Sequence, residues 1–319
     1  MSKTRVALTK SQKKYLKNHL KEKTLGEIAS HLEVPIEDLT WYLEKRWGKE
    51  KFQKFSAKRE QNPFNFRTWW RQNRLKLGLL VFLVTAAYIN SLGNDFVADD
   101  VGAIANNEDI NQAGYIFSNR LRFLRPLIYS VVNQMSGLRP AFYRLTNILF
   151  HLGTVLTLYL LLYLLINPTA ALLTAVLTAV HPIMTEAVTW ISGGSHAQYS
   201  FFGLSSLLAY LLATREKKYY PLSLIFLLLA LLSSEKAVVL PIIFLAFEMA
   251  NKNLTKNWKK LIIPLMMSGF LITISTRAIA PRMETLQTHF YQKPSTLNPL
   301  TQIPIAITSY LELIFWPKN

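Results

Sequence analysis

Apolar residues follow two different patterns along this chain, and the change falls near residue 75. Up to Arg74 they recur three and four positions apart among charged residues, the spacing of amphipathic helices. From Leu75 onward they come in long runs of Leu, Ile, Val, Phe and Ala. A bilayer crossing needs about 20 apolar residues at about 1.5 Å rise each. The runs at 75–92, 142–166, 168–182, 198–214, 219–234, 236–250, 259–280 and 303–316 are the candidates, several of them short. The pattern predicts an all-α, polytopic transmembrane protein with a small helical domain in front of it.

In the leading region Thr9 is placed to cap a helix from Lys10 to about Lys23. A second helix over Leu25–Leu32 puts Leu25, Ile28, Ala29 and Leu32 on one face. Pro35 suits the first position of a third, Pro35–Trp47, in which Ile36, Leu39, Leu43 and Trp47 share a face. The order Glu27-Ile28-Ala29, Leu32, Val34 and then a new helix resembles a helix-turn-helix. Such a motif reads bases with the first turn of its second helix, and here that turn carries Glu37 and Asp38, which repel phosphate. Residues 9–47 hold 8 basic and 6 acidic side chains, so DNA is not the expected partner. Residues 1–48 read as a cytoplasmic helical domain for regulation or protein contact.

Charge sharpens this division. The chain of 319 residues carries 36 Lys and Arg against 19 Asp and Glu, a net of +17. Residues 1–76 hold 19 basic and 8 acidic side chains, so +11, whereas 77–319 hold 17 and 11, so +6 over three times the length. A single water-soluble domain and a disordered chain are both excluded. Residues 49–76 form a basic juxtamembrane linker, with Arg67, Trp69, Trp70, Arg71 and Arg74 as expected for contact with inner-leaflet lipids. The basic loops at Arg215, Lys217, Lys218 and at Lys252, Lys256, Lys259, Lys260 should also be cytoplasmic. That puts 93–141, 183–197, about 234–236 and 281–302 on the outer face of an inner (plasma) membrane. No cysteine is present, which excludes disulfides, a CxxC redox pair and a cysteine zinc site. Met1 to Arg74 contains no apolar run of the kind a secretory signal needs, and the chain stops in Trp316-Pro317-Lys318-Asn319 without a polar tail, which suggests a piece of a longer protein.

The outer loop after the first span is long and polar, and it holds the candidate chemistry. Asn94, Asp95, Asp99, Asp100, Asn106, Asn107, Glu108 and Asp109 are followed by Arg120, Arg122, Arg125 and Arg139, with Arg144 just inside the next helix. Adjacent carboxylates do not share a helix face, so one of Asp99 and Asp100 can face a cavity while the other caps Val101–Ala105. A carboxylate at the water–lipid boundary can take a proton from an acceptor hydroxyl. Arginine binds phosphate bidentately and keeps its charge, so Arg125 can stabilise a departing phosphate without a general acid. Further along, His151 falls near mid-depth of the second span, His181-Pro182 ends the third, Glu186 follows, and Glu235-Lys236 lies between two short spans. Ionisable groups at such places point to function, although pairing and helix packing also account for them.

These pieces resemble, in their order, one known family. Phe96-x-x-Asp99-Asp100-x-x-Ala103-Ile104-x-x-Asn107 is followed by Arg125-Pro126-Leu127 and by Asn147-x-x-x-His151. Then come His181-Pro182-x-x-x-Glu186-Ala187-Val188-x-Trp190-Ile191-Ser192-Gly193 and Leu231-Leu232-Ser233-x-Glu235. Residues 77–319 are thus similar to the GT-C membrane glycosyltransferases, above all to the transmembrane part of the O-mannosyltransferases that carry tetratricopeptide repeats and to their bacterial relatives. The pattern departs from the family's at Gly194, His196 and Ser234, and a repeat region is absent. The resemblance implies inverting transfer of a sugar from a polyprenyl-phosphate donor to a protein or glycan acceptor, on the outer face. It implies a base at Asp99 or Asp100 and a phosphate held by Arg125 with Arg122 or Lys236. Glu186 and His181 would shape the cavity, Glu235 is a further substrate-binding candidate, and a divalent metal is not favoured because one phosphate can be neutralised by arginine. The rival readings are a membrane-tethered regulator with a helix-turn-helix-like head, and a transporter of lipid-linked substrate.

Overall fold

A computed structural model describes residues 8–20, 25–53, 64–118, 122–289 and 299–315. Its contacts divide the chain into two units, Met1–Phe64 and Asn65–Asn319.

The first unit is built on three helices, α1 (Lys10–His19), α2 (Leu25–Leu32) and α3 (Ile36–Trp47). Thr9 caps α1 in a full capping box: its hydroxyl accepts from Gln12 N, and Gln12 Oε1 accepts from Thr9 N at 2.9 Å. Two orphan amides of the first turn are satisfied at once. Leu16, Leu20, Ile28, Ala29, Leu39 and Leu43 make the core, closed by Phe52. Two details differ from the sequence reading. Pro35 stands one position earlier, as the residue before α3, and Ile36 turns outward at 48% exposure. Glu33 takes a left-handed φ of 52° at the α2–α3 turn, which sets where the third helix begins.

The second unit is all-α among the described residues. Its first helix, α4 (Phe66–Tyr88), is capped by Asn65, which accepts from Thr68 N at 3.0 Å. The basic residues Arg67, Arg71 and Arg74 are therefore the first turns of the same rod that carries Leu77, Leu80 and Val84 inward, with no break at the membrane boundary. Short helices α5 (Ala113–Ser118) and α6 (Leu124–Ser136) follow in the polar loop, then α7 (Pro140–Leu165) and α8 (Pro168–Val180). Proline opens both α7 and α8, where its missing N–H costs nothing. Pro182 stops α8, and the chain continues through α9 (Thr185–Thr189), α10 (Ser195–Ala213), α11 (Tyr219–Ser233), α12 (Leu240–Ala250), α13 (Leu254–His289) and α14 (Pro299–Phe315).

Among the described residues two helices are long and apolar enough to cross a membrane, Phe66–Gly93 and Pro140–Leu165, and a third crossing is available if α8 and its 54° bent continuation count as one. Eight runs were expected. The rest fall short for physical reasons: α11 is only 15 residues long, and α10 is diluted by Ser195, Gln198, Ser205 and Ser206. A belt of outward apolar side chains (Leu75, Phe82, Leu149, Leu173, Leu177, Ile242) nevertheless marks a lipid-facing surface, and the protein is a multi-pass membrane protein.

Helix packing relies on small residues and buried polar links. A Cβ on Gly153 would lie 2.7 Å from the Phe201 ring, so α7 and α10 approach through that glycine. Tyr159 Oη donates to Asn73 Oδ1 at 2.6 Å, joining α7 to α4. Glu248, 1% exposed, accepts from Tyr210 Oη at 2.7 Å and Asn257 Nδ2 at 3.0 Å, which ties α10, α12 and α13 together. His151 is buried against the edge of Tyr88, with ring centroids 5.3 Å apart, and faces the Thr178 and Ala179 carbonyls at the end of α8. Its place is one of helix packing. Gly153→Leu is expected to lower the thermal midpoint in detergent by the equivalent of about 1–3 kcal/mol. Phe201→Ala in the same chain should recover part of that loss; equal midpoints with and without the glycine would refute the close approach.

Candidate active site

The segment Thr189–Gly194 lies beside the candidate residues, and four side chains hold it. Arg144, on the second turn of α7 and 1% exposed, donates Nε to Thr189 O at 3.0 Å and its two terminal nitrogens to the carbonyls of Asn94 and Asp95. One turn on, Asn147 Nδ2 donates to Trp190 O at 3.2 Å and Ile191 O at 3.3 Å. Tyr129 on α6 donates its hydroxyl to Ile191 O at 3.2 Å. Asp100 Oδ1 accepts from Ser192 N at 2.8 Å. Arg144 was grouped by sequence with the anion-binding arginines; the structure gives it the task of stapling two loops.

Gly193 and Gly194 are required for space. A Cβ on Gly193 would stand 2.4 Å from the Glu186 carbonyl oxygen, and one on Gly194 would stand 1.9 Å from Asn147 Oδ1. Ile104, Ile110, Tyr129, Tyr143 and Ile191 form an apolar cluster that fixes the polar loop to α6 and α7.

The two adjacent aspartates take different environments, but neither caps Val101–Ala105 as expected: Asp100, the residue before that segment, makes no side-chain capping hydrogen bond and turns to Ser192 N instead. Asp100 is fully buried, and its other oxygen takes only a long contact of 3.5 Å from Val97 N. Asp99 is exposed and makes no side-chain hydrogen bond or ion pair among the described residues. Ala98, directly before them, has φ of 49°. A left-handed alanine is strained by about 1 kcal/mol, and the Asp100–Ser192 link holds it there. Arg125, half-buried, donates Nε to Tyr129 Oη at 3.0 Å and lies over that ring at 5.4 Å. Burial pushes the Tyr129 hydroxyl's pKa up, against the pull of Arg125. The terminal nitrogens of Arg125 make no hydrogen bond among the described residues.

A second group of charges lies across Arg122 and the short turn Glu235–Val239. Arg122 Nε donates to Glu235 Oε2 at 2.7 Å, and a terminal nitrogen donates to Oε1, a bidentate pair about one-third exposed on each side. Burial raises the Glu235 pKa, but the Arg122 hydrogen bonds and charge, with Lys236, outweigh it and hold the carboxyl below its ordinary range. Lys236 and Glu186 are exposed. His196, on the first turn of α10, feels Lys236, Glu186, Arg122 and Glu235 together. His181 is not in this group. Its Nδ1 accepts from Ile183 N at 3.2 Å and its Nε2 contacts Ile314 O at 2.9 Å, so both ring nitrogens serve the fold. Arg120 lies outside the described residues. Among the described residues no group of three or more His, Cys, Asp or Glu side chains is arranged to hold a metal ion.

Tyr129, Asn147 and Ser192 were not read as site residues from sequence alone. Tyr129 sits four positions after Arg125, the helical spacing at which side chains meet, and that was the available signal. Replacing Gly194 by Ala is expected to unseat Asn147 and lower stability by about 1–3 kcal/mol. In an Asn147→Ala background the same change should cost under about 0.5 kcal/mol, a coupling readable by a double-mutant cycle on thermal midpoints. Additive costs would show that Asn147 does not exclude a side chain at 194.

Comparison with known proteins gives this arrangement relatives. Residues 123–279 match the family model described as dolichyl-phosphate-mannose-protein mannosyltransferase. The human protein O-mannosyl-transferase TMTC3 is 33% identical over 162 residues, 46% of this chain and 17% of that protein. A protein O-mannosyl-transferase of Caenorhabditis elegans, F38B6.6, is 26% identical over 217 residues, 60% of this chain and 31% of that one. The Xenopus laevis protein O-mannosyl-transferase tmtc2 is 34% identical over 153 residues, 42% of this chain and 18% of that protein. The chain thus spans between a sixth and a third of the length of these relatives. No solved structure matches. The resemblance read from the motifs holds: the chain is similar to protein O-mannosyltransferases of the GT-C type.

Proposed function

We propose that the protein is a membrane glycosyltransferase that moves a sugar from a polyprenyl-phosphate donor to an acceptor hydroxyl at the outer face. The names of its relatives make a mannosyl donor and a protein acceptor the first to test. The observation that carries the reading is the division of labour at Asp99-Asp100. A buried carboxylate anchors the loop on Ser192 N, while its neighbour stands exposed, with no hydrogen bond or ion pair of its side chain among the described residues.

In this mechanism Asp99 takes the proton of the acceptor hydroxyl as its oxygen attacks the anomeric carbon. The bond from that carbon to the phosphate oxygen breaks, and its electron pair stays on the phosphate. Arg125, held by Tyr129 through Nε, meets the growing negative charge, and Arg122 and Lys236 reinforce it. A single displacement from the opposite face inverts the anomeric configuration. Glu235 occupies Arg122 in the resting state and would be displaced in part by phosphate. His181 is left out of this mechanism because its ring is spent on the fold. The charge bias of the loops supports a cytoplasmic N-terminus and an outer site in the inner (plasma) membrane.

Transfer from a radiolabelled polyprenyl-phosphate sugar by the purified protein in detergent tests the reading. Asp99→Asn is expected to reduce kcat by ~10²–10⁴, the effect of removing a positioned base. Asp100→Ala should instead lower the thermal midpoint, since it leaves Ser192 N buried without an acceptor. Activity of Asp99→Asn within about threefold of the parent would rule out Asp99 as the base, given the size of the effect expected.

A further inference from the structure

One face of α4 carries charge that its own unit does not balance. Arg67, Arg71 and Arg74 recur at helical spacing, and Leu75, Gly78 and Phe82 continue the same stripe along the rod. All six are exposed. The sequence groups Trp69 with these arginines, but its ring turns the opposite way. It is buried, 5.9 Å from Tyr159 and 6.1 Å from Tyr163 on α7 between ring centroids. That packing fixes the rotation of α4 and so directs the arginines outward. Phe66 and Trp70, with ring centroids 6.1 Å apart, line an open groove of about 440 Å³ together with Arg67 and Arg71.

The helix brings Arg67, Arg71, Arg74 and Lys76 and no carboxylate. The helices packed on it, α7 and α8, add only Arg144, which is spent on carbonyls at the far end of α7. Among the described residues none of the three arginines makes a side-chain hydrogen bond or an ion pair. Gly78 adds a second, independent feature. Glycine inside a helix destabilises it relative to alanine, and a Cβ there would meet nothing of the chain within 4 Å. Packing within the chain does not require this glycine, and the notch it leaves opens on the lipid-facing stripe.

We propose that this face of α4 is a binding site for one anionic phospholipid. Its phosphate sits among Arg67, Arg71 and Arg74, its glycerol region lies against Phe66 and Trp70, and one acyl chain runs over Leu75, Gly78 and Phe82. Guanidinium groups hold phosphate oxygens in pairs and keep their charge. From Arg74 to Phe82 the helix rises ~12 Å at about 1.5 Å per residue, close to the ~15 Å of hydrocarbon in one leaflet. A zwitterionic lipid presents the same phosphate with a cation attached, which unbalanced arginines disfavour, so charge selects the anionic class. The proposal is independent of the transferase reading and of which side of the membrane this end of α4 faces.

Native mass spectrometry of the whole protein, released from detergent micelles holding equal amounts of phosphatidylglycerol and phosphatidylcholine, tests it. The parent protein is expected to retain a single phosphatidylglycerol, preferred about tenfold over phosphatidylcholine. Arg67→Gln, Arg71→Gln and Arg74→Gln combined should bring the two lipids to near parity. Gly78→Leu fills the notch without touching the charge and should lower retention severalfold. Equal retention of both lipids by the parent protein would overturn the site, and that comparison needs no variant to fold. So would a triple variant that keeps the preference, or a Gly78→Leu protein that retains the lipid as the parent does. Displacement of the lipid by glycerol phosphate at equal concentration would show a bare anion site and overturn the lipid assignment.

Discussion

One buried guanidinium ties the polar loop after α4 to the segment after α9. Arg144 keeps its charge at any physiological pH, and an unpaired charge in such a place is prohibitively costly. The chain meets that cost with backbone carbonyls from two segments far apart in sequence, Asn94–Asp95 and Thr189, and with Asp95 and Asp100 in electrostatic reach. Once those segments are pinned to α7, the rest follows locally. Asn147, one turn along the same helix, takes the next two carbonyls, and Asp100 is left at the right place to accept from Ser192 N. The exposed position of Asp99 is a by-product of this arrangement, since the residue next to a fully buried carboxylate in a tight turn is directed outward.

The division within the Asp-Asp pair also separates two kinds of sensitivity. Asp100 acts through the fold: its carboxylate touches backbone amides and reaches no solvent. Asp99 has no structural partner among the described residues, so its chemistry is free to be set by whatever enters the site. Arg125 and Arg122 show the same contrast. The first is anchored by Tyr129 at one nitrogen, whereas the second is clasped at both ends of its fork by Glu235.

Much of this was legible in the residues. The basic head, the capping role of Thr9, the proline starts of α7 and α8 and the stop at His181-Pro182 follow from local chemistry, because each depends on neighbours within a turn. The Asp99–Asp100 division was legible as a principle but not as an assignment, since only tertiary contact decides which carboxylate is buried. Arg144 was misread because an arginine near a polar loop looks the same in sequence whether it binds anions or carbonyls. The contacts of His181 were not legible because its two partners, Ile183 N and Ile314 O, include a backbone atom more than a hundred residues away. Glu248 drew no notice inside an apolar run, and only the meeting of α10, α12 and α13 explains its tolerance there. The eight runs and the two or three helices that are long and apolar enough differ because apolar runs in sequence are divided by breaks such as Pro182 and by helices as short as the 15 residues of α11.

The contact between position 194 and Asn147 has a consequence for how such a chain can diverge. With Asn147 in place, any side chain at 194 meets an amide well inside van der Waals contact, and with Gly194 in place that amide secures the carbonyls of Trp190 and Ile191. Descent from a common ancestor therefore cannot alter these two positions in either order with equal ease. A lineage that gains bulk at 194 is helped by first giving up the amide at 147 and finding another anchor for Trp190 and Ile191, so the order of the two changes matters.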